Sequence, residues 1–156
     1  MRSFSKALFL ALLVAMAAGA QTFRARQVAS QVPSAGVSLK PGQQTVPVQI
    51  RIQRGFHINS VQPAEDYLIP TRLIWDATPL TPGEITFPEA ETVTYEFSNE
   101  PLLVYSDTIT ITTEFAVPAQ LPASLKEIKG ELRYQACNSK ACLAPAALPL
   151  SIPVRP

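Results

Sequence analysis

The residues of this chain best suited to chemistry are its two cysteines, Cys137 and Cys142, which stand with four residues between them in Tyr134-Gln135-Ala136-Cys137-Asn138-Ser139-Lys140-Ala141-Cys142-Leu143-Ala144-Pro145. A bond between them would close only a short loop, contributing about 2 kcal/mol in the chain-entropy account of disulfides. A staple between distant strands would give more. Exchange chemistry, in contrast, needs two sulfurs close together, because a resolving thiolate must reach the mixed disulfide formed by its neighbour. The pair therefore has two readings, a redox couple or a small structural bridge.

The single histidine, His57, does not extend the pair into a metal centre. Structural zinc takes four ligands, and two cysteines with one histidine lack a carboxylate that any spacing identifies. Copper(I) favours thioethers, and both methionines, Met1 and Met16, fall in a leader segment described below. No metal and no cofactor is expected. No Ser-His-Asp order, glycine-rich phosphate loop or interpretable carboxylate pair appears, so hydrolase and nucleotide-binding functions have no support.

The elements that must position the cysteines read as strands. Residues 131–136 alternate polar and apolar before the pair and 148–154 alternate after it, placing the cysteines where two strands meet. In 45–53, Val46, Val48, Ile50 and Ile52 share one face. Pro47 within it marks an edge or a bulge, and Arg54-Gly55 turns the chain. Residues 73–75 form a shorter candidate. Ile109, Ile111, Phe115 and Val117 share the inner face of 108–117, as do Ile128, Leu132 and Tyr134 in the next segment. Pro149 and Pro153 lie outward on the last strand, which marks it as an edge. Fifteen prolines in 156 residues, about twice the usual share, are spread along the chain and argue against long helices. One helical turn is expected at 123–127. Short strands separated by turn signals indicate an all-β sandwich.

Arg2 and Lys6, the apolar run 7–18 and Ala18-Gly19-Ala20 compose a secretory signal peptide over 1–20. The run is shorter than the about 20 residues that cross a bilayer, so no stable membrane insertion is expected. No cysteine at the cleavage point offers a lipid attachment site. Removing Arg2 and Lys6 takes the formal charge from 13 − 12 = +1 to 11 − 12 = −1, and a near-neutral chain suggests neither nucleic acid nor an anionic membrane as partner. Secretion puts the cysteines in an oxidising compartment. Residues 21–34, polar and without a period, read as a mobile lead-in, and 35–156 as one domain, long enough to bury a core without disulfides.

Four segments together carry a resemblance that periodicity does not supply: Gly55-Phe56-His57-Ile58-Asn59-Ser60; Ile69-Pro70-Thr71; Glu96-Phe97 with Val104-Tyr105-Ser106-Asp107; and Tyr134-Gln135-Ala136-Cys137 with Cys142 and Pro145. In order and spacing they resemble the amino-terminal periplasmic domain of the thiol:disulfide interchange protein DsbD. The resemblance implies an immunoglobulin-like sandwich in the periplasm. Its cysteine pair would take electrons from a membrane-embedded donor and reduce thioredoxin-like proteins, including those of cytochrome c maturation. Because the sequence ends at Pro156, a separate protein is expected to supply the reductant. The resemblance makes Cys137 and Cys142 the redox disulfide and Phe97 an aromatic cap over it, with His57 or Asn59 lining the site. Family members often carry an aromatic, glycine-containing tip after that phenylalanine, whereas this chain reads Ser98-Asn99-Glu100-Pro101. Glu96 beside Phe97 would raise a thiol pKa through like-charge repulsion, and Lys140 would lower it. The alternative function is a secreted immunoglobulin-like binding module with a purely structural disulfide.

Overall fold

A computed structural model describes residues 28–155, so the expected signal peptide and the first half of the lead-in lie outside the described residues. Twelve strands follow in order: β1 (Ala29–Gln31), β2 (Val37–Ser38), β3 (Gly42–Ile52), β4 (His57–Asn59), β5 (Arg72–Trp75), β6 (Thr81–Thr86), β7 (Glu91–Val93), β8 (Leu102–Tyr105), β9 (Thr108–Val117), β10 (Glu127–Tyr134), β11 (Ala136–Cys137) and β12 (Ala146–Arg155). They form three four-stranded sheets, ordered β1-β3-β9-β6, β2-β12-β10-β5 and β11-β4-β8-β7. The first two face each other as an immunoglobulin-like sandwich, with Ile50, Ile111, Phe115, Ile128, Leu132, Tyr134 and Ile152 fully or almost fully buried between them. Each such side chain contributes about 1.5 to 3 kcal/mol. Cross-linking Cys137 to Cys142 is worth no more than one of them, so the sandwich does not depend on it.

The strand alternation in 45–53, 108–117 and 131–136 is met residue for residue on the inner faces, because these strands have one covered and one wet face. Two inward positions are not aliphatic. Thr113 is buried and accepts a 3.0 Å hydrogen bond from the Trp75 indole. Gly130 stands opposite Trp75, and a Cβ there would come within 2.5 Å of the Ile74 carbonyl and 2.8 Å of the Trp75 ring. Only glycine lets β5 lie this close to β10.

Three sequence expectations are corrected. The ordered domain starts before residue 35: Val28 and Ala29 are buried, and β1 pairs with β3. Their apolar contribution is too short to show as a period. The helical turn at 123–127 is a plain turn closed by the Leu125 amide on the Pro122 carbonyl at 3.0 Å. The last strand is not a bare edge. Pro149 and Pro153 do face outward, but β2 pairs in parallel with Val154 and Arg155. The Gln31 side chain also takes the place of a neighbouring strand, donating to the Ser151 carbonyl (2.8 Å) and accepting from its amide (2.9 Å).

The third sheet is made from strands that leave the sandwich. After β3 the chain turns at Gly55, whose φ of 85° suits glycine, and becomes β4. After β10 it steps past Gln135 and becomes β11. The return from β8 to β9 passes through Asp107 at φ 55°, a left-handed position that aspartate tolerates better than most residues, and its carbonyl accepts from the Ile52 amide at 2.6 Å.

Candidate functional site

The small sheet is covered on both faces, and this creates the site. Ile58 pairs with both Ala136 and Tyr105, and all three pack into the sandwich core. Directly opposed residues in antiparallel strands share a face. The alternate positions therefore point the other way: Cys137 opposite His57, Gln135 beside Asn59, and Val104 opposite both Asn59 and Glu91. Over this second face lies a small apolar cluster of Leu68, Leu102 and Val104, with Val93, Tyr95, Phe97 and Cys142 packed against it.

Cys137 and Cys142 are joined in a disulfide. They face each other as an antiparallel bridge, with Cα atoms 3.9 Å apart. The bridge is flanked by two backbone bonds, Asn138 amide to Ala141 carbonyl (3.0 Å) and Leu143 amide to Ala136 carbonyl (2.8 Å). The turn between the sulfurs is built by Asn138, whose Oδ1 accepts from the amides of Lys140 (2.8 Å) and Ala141 (2.9 Å), the local bonding that suits asparagine to turns. Cys137 is fully buried, whereas Cys142 is only partly buried. Lys140 is exposed at the tip of this hairpin.

The segment 94–101, which joins β7 to β8, folds back over the sheet. The Ser98 amide bonds the Tyr95 carbonyl at 3.1 Å, making a tight turn with Glu96 and Phe97 at its corners. Tyr95 stacks on His57, with centroids 4.4 Å apart and planes 16° apart, and Phe97 stacks on Tyr95 at 5.5 Å and 13°. Phe97 thus shares an apolar cluster with Cys142 and is tied to the floor through Tyr95. Sequence reasoning missed Tyr95, although the alternation Tyr95-Glu96-Phe97 puts both rings on one side and Glu96 on the other. Glu96 is exposed, without a hydrogen bond or ion pair. The carboxylate that acts on the site is Glu91, whose Oε1 accepts from the Ser106 hydroxyl at 2.7 Å and whose charge is felt by both His57 and Tyr95.

His57 is 2% exposed, and its Nε2 has no hydrogen-bond partner. Burial lowers its pKa to about 4, against the smaller opposing effect of Glu91. Burial and the Glu91 charge push the Tyr95 hydroxyl up. Unfolded, His57 titrates near 6.5, so between about pH 4 and 6.5 the unfolded chain binds the extra proton and stability rises with pH. Going from pH 7 to pH 5 is expected to cost about 2 kcal/mol through this residue. Urea unfolding at the two pH values should show that loss in the native sequence and a smaller one in His57→Phe. Equal losses would mean that the buried imidazole is not what titrates.

Asn59 is fully buried and holds a loop. Its Nδ2 donates to the Ile69 carbonyl (2.9 Å) and to Gln135 Oε1 (3.2 Å), which also accepts from the Ile69 amide (3.1 Å). Thr71 donates its hydroxyl to the Asn59 carbonyl. These bonds pin Leu68 into the cluster beside Cys142 and leave Tyr67 and Ile69 as exposed apolar side chains on the same loop. Gln135 also donates to the Leu143 carbonyl at 3.2 Å, joining that loop to the disulfide hairpin. Among the described residues, no group of three or more His, Cys, Asp or Glu could hold a metal ion, and no helix is long and apolar enough to cross a membrane.

Fold and site together define an immunoglobulin-like β-sandwich domain that carries a disulfide hairpin beneath an aromatic loop. The chain belongs to the family of the amino-terminal domain of the thiol:disulfide interchange protein DsbD, whose family model matches residues 25–148. Among solved structures, the DsbD n-terminal domain of Neisseria meningitidis in the reduced form is 20% identical, with 78% of this chain and 83% of that one covered and a TM-score of 0.49. The N-terminal periplasmic domain of ScsB from Proteus mirabilis is 12% identical, with 80% of this chain and 44% of that one covered and a TM-score of 0.50. This chain thus spans less than half of the ScsB structure, and at such identity the likeness concerns the fold. No curated protein matches this chain.

Proposed function

We propose that this domain is a periplasmic dithiol/disulfide carrier, passing reducing equivalents between a membrane-embedded or thioredoxin-like donor and thioredoxin-like acceptor proteins, with Cys137 and Cys142 as its reacting pair. It works as one component of a protein-disulfide reductase chain and needs a partner on each side. The observation that carries this reading is the unequal burial of the two cysteines beside one aromatic loop: Cys137 fully buried, Cys142 only partly so and packed against the cluster that also holds Phe97. A structural bridge needs no such asymmetry. An exchanging pair does, because one sulfur must meet the partner while the other waits within reach.

The test is a redox titration of the purified domain against glutathione or dithiothreitol buffers. An exchanging pair is expected well above roughly −300 mV, the region below which structural disulfides of secreted proteins lie. A potential below that value would favour the binding-module function, in which the bridge only closes the hairpin.

A further inference from the structure

His57 Nε2 is a buried polar atom with no partner while the disulfide is closed. Directly across the strand pair stands Cys137, the sulfur that cannot meet a partner because it is fully buried. Opposed residues of antiparallel strands project to the same face with Cβ atoms about 4.5 to 5.5 Å apart. The ring of His57 is held in place by Tyr95 stacked over it. In the oxidised protein, Cys137 Sγ is committed to Cys142. Reduction releases it to rotate, and a thiolate is a far better hydrogen-bond acceptor than a disulfide sulfur.

We propose that His57 is the positioning residue of the resolving step, its Nε2–H donating a hydrogen bond to the Cys137 thiolate once the pair is reduced. A group bonded to the charged form lowers a thiol pKa. It here opposes the burial that would otherwise keep Cys137 protonated and unreactive. The purpose of this bond rests on the exchange reading given above. The step balances as follows. Cys142 thiolate attacks a partner disulfide, forming the mixed disulfide and releasing one partner thiolate. Cys137 gives its proton to solvent, and its thiolate, held by His57, attacks Cys142 Sγ. The Cys137–Cys142 bond forms, the bond to the partner breaks, and the second partner thiolate leaves. The two partner thiolates take protons from solvent, two electrons pass from the pair to the partner, and His57 keeps its own proton throughout. Burial keeps the imidazole neutral at neutral pH, with one ring nitrogen protonated, and a thiolate facing Nε2 selects the tautomer that carries the proton there. The other titratable groups facing the ring are Glu91 from β7 and Tyr95 from the overlying loop.

The experiment uses Cys142→Ser protein, in which Cys137 is the lone thiol, and follows thiolate absorbance in the ultraviolet against pH without any partner. Adding His57→Phe, which keeps a ring under Tyr95 but removes the nitrogen, is expected to raise the Cys137 midpoint by about one to two pH units. Thiolate at a given pH would then fall tenfold to a hundredfold. His57→Gln, whose amide can donate, should recover part of the shift. Equal midpoints with His57 and with His57→Phe would overturn the proposal. Should His57→Phe fail to fold, imidazole nitrogen resonances of His57 in the Cys142→Ser protein decide: they should move at the thiol's own midpoint, and resonances that ignore the thiol would overturn it. Because no partner takes part, a failure here is distinct from a structural-range potential in the redox titration.

Discussion

Cells producing the Cys137→Ser variant are expected to accumulate disulfide-linked adducts between this domain and other periplasmic proteins, and cells producing Cys142→Ser are expected to accumulate far fewer. Cys142 is the partly buried residue of the pair and Cys137 the fully buried one, so under the proposed exchange function Cys142 would attack the partner disulfide. The mixed disulfide that results is cleared only by the resolving thiol. The sequence contains no other cysteine, so without Cys137 the intermediate has no internal route to resolution. Acid-quenched cells run on non-reducing gels, with mass spectrometry of the shifted bands, give both the comparison and the partners' identities. Adducts in neither variant, with similar losses of stability in both, would identify the bridge as structural. More adducts with Cys142→Ser would reverse the roles of the two sulfurs.

The second large effect concerns the aromatic loop. Each stacked aromatic pair contributes about 0.5 to 1.5 kcal/mol beyond its buried area, and a factor of ten in an equilibrium corresponds to about 1.4 kcal/mol. Phe97 makes one stack, on Tyr95; Tyr95 makes two, on Phe97 and on His57. Deleting Phe97 should therefore raise the population of the open loop about twofold to tenfold, and deleting Tyr95 about fivefold to a hundredfold. Alkylation of the reduced pair by iodoacetamide tests this, because a loop that covers the pair slows the reagent for as long as it is closed, and opening it speeds the reaction. The expected order of rates is native, Phe97→Ala, then Tyr95→Ala. If all three react alike, the loop does not shield the pair. If Phe97→Ala exceeds Tyr95→Ala, Phe97 acts through its own contacts with the cluster and not through the stack.

The exposed loop residues Tyr67 and Ile69 and the hairpin tip at Lys140 border the same region as Cys142. Their positions follow from Gln135, which ties the 68–71 segment to one side and the disulfide hairpin to the other. One amide side chain thus couples the two loops that flank Cys142. The sequence gives no hint of this, since Gln135 reads there only as the polar position of an alternating strand.

How much could be read without the structure follows from which faces are wet. Strands β3, β9 and β10 each bury one face and expose the other, so the sequence alternates with a period of two, and that alternation determined their inward residues and the all-β class, though of their bounds only those of β9. The cysteine spacing determined that a short bridge was available, and the four resembling segments determined the family. Strands β4, β8 and β11 are buried almost throughout, because the sandwich core covers one face and the 94–101 loop with its cluster covers the other. Without a wet face there is no alternation, and His57-Ile58-Asn59 does not announce itself as a strand. Nor can spacing in sequence tell which carboxylate is near the pair: Glu96, adjacent to Phe97, turns outward, while Glu91 reaches the site because β7 pairs with β8 and sets it on the same face as His57. Tertiary structure alone decided that Cys137 is the covered sulfur and that His57 stands opposite it. Burial and cross-strand register are made by contacts between segments distant in the chain, and local residue order does not encode them.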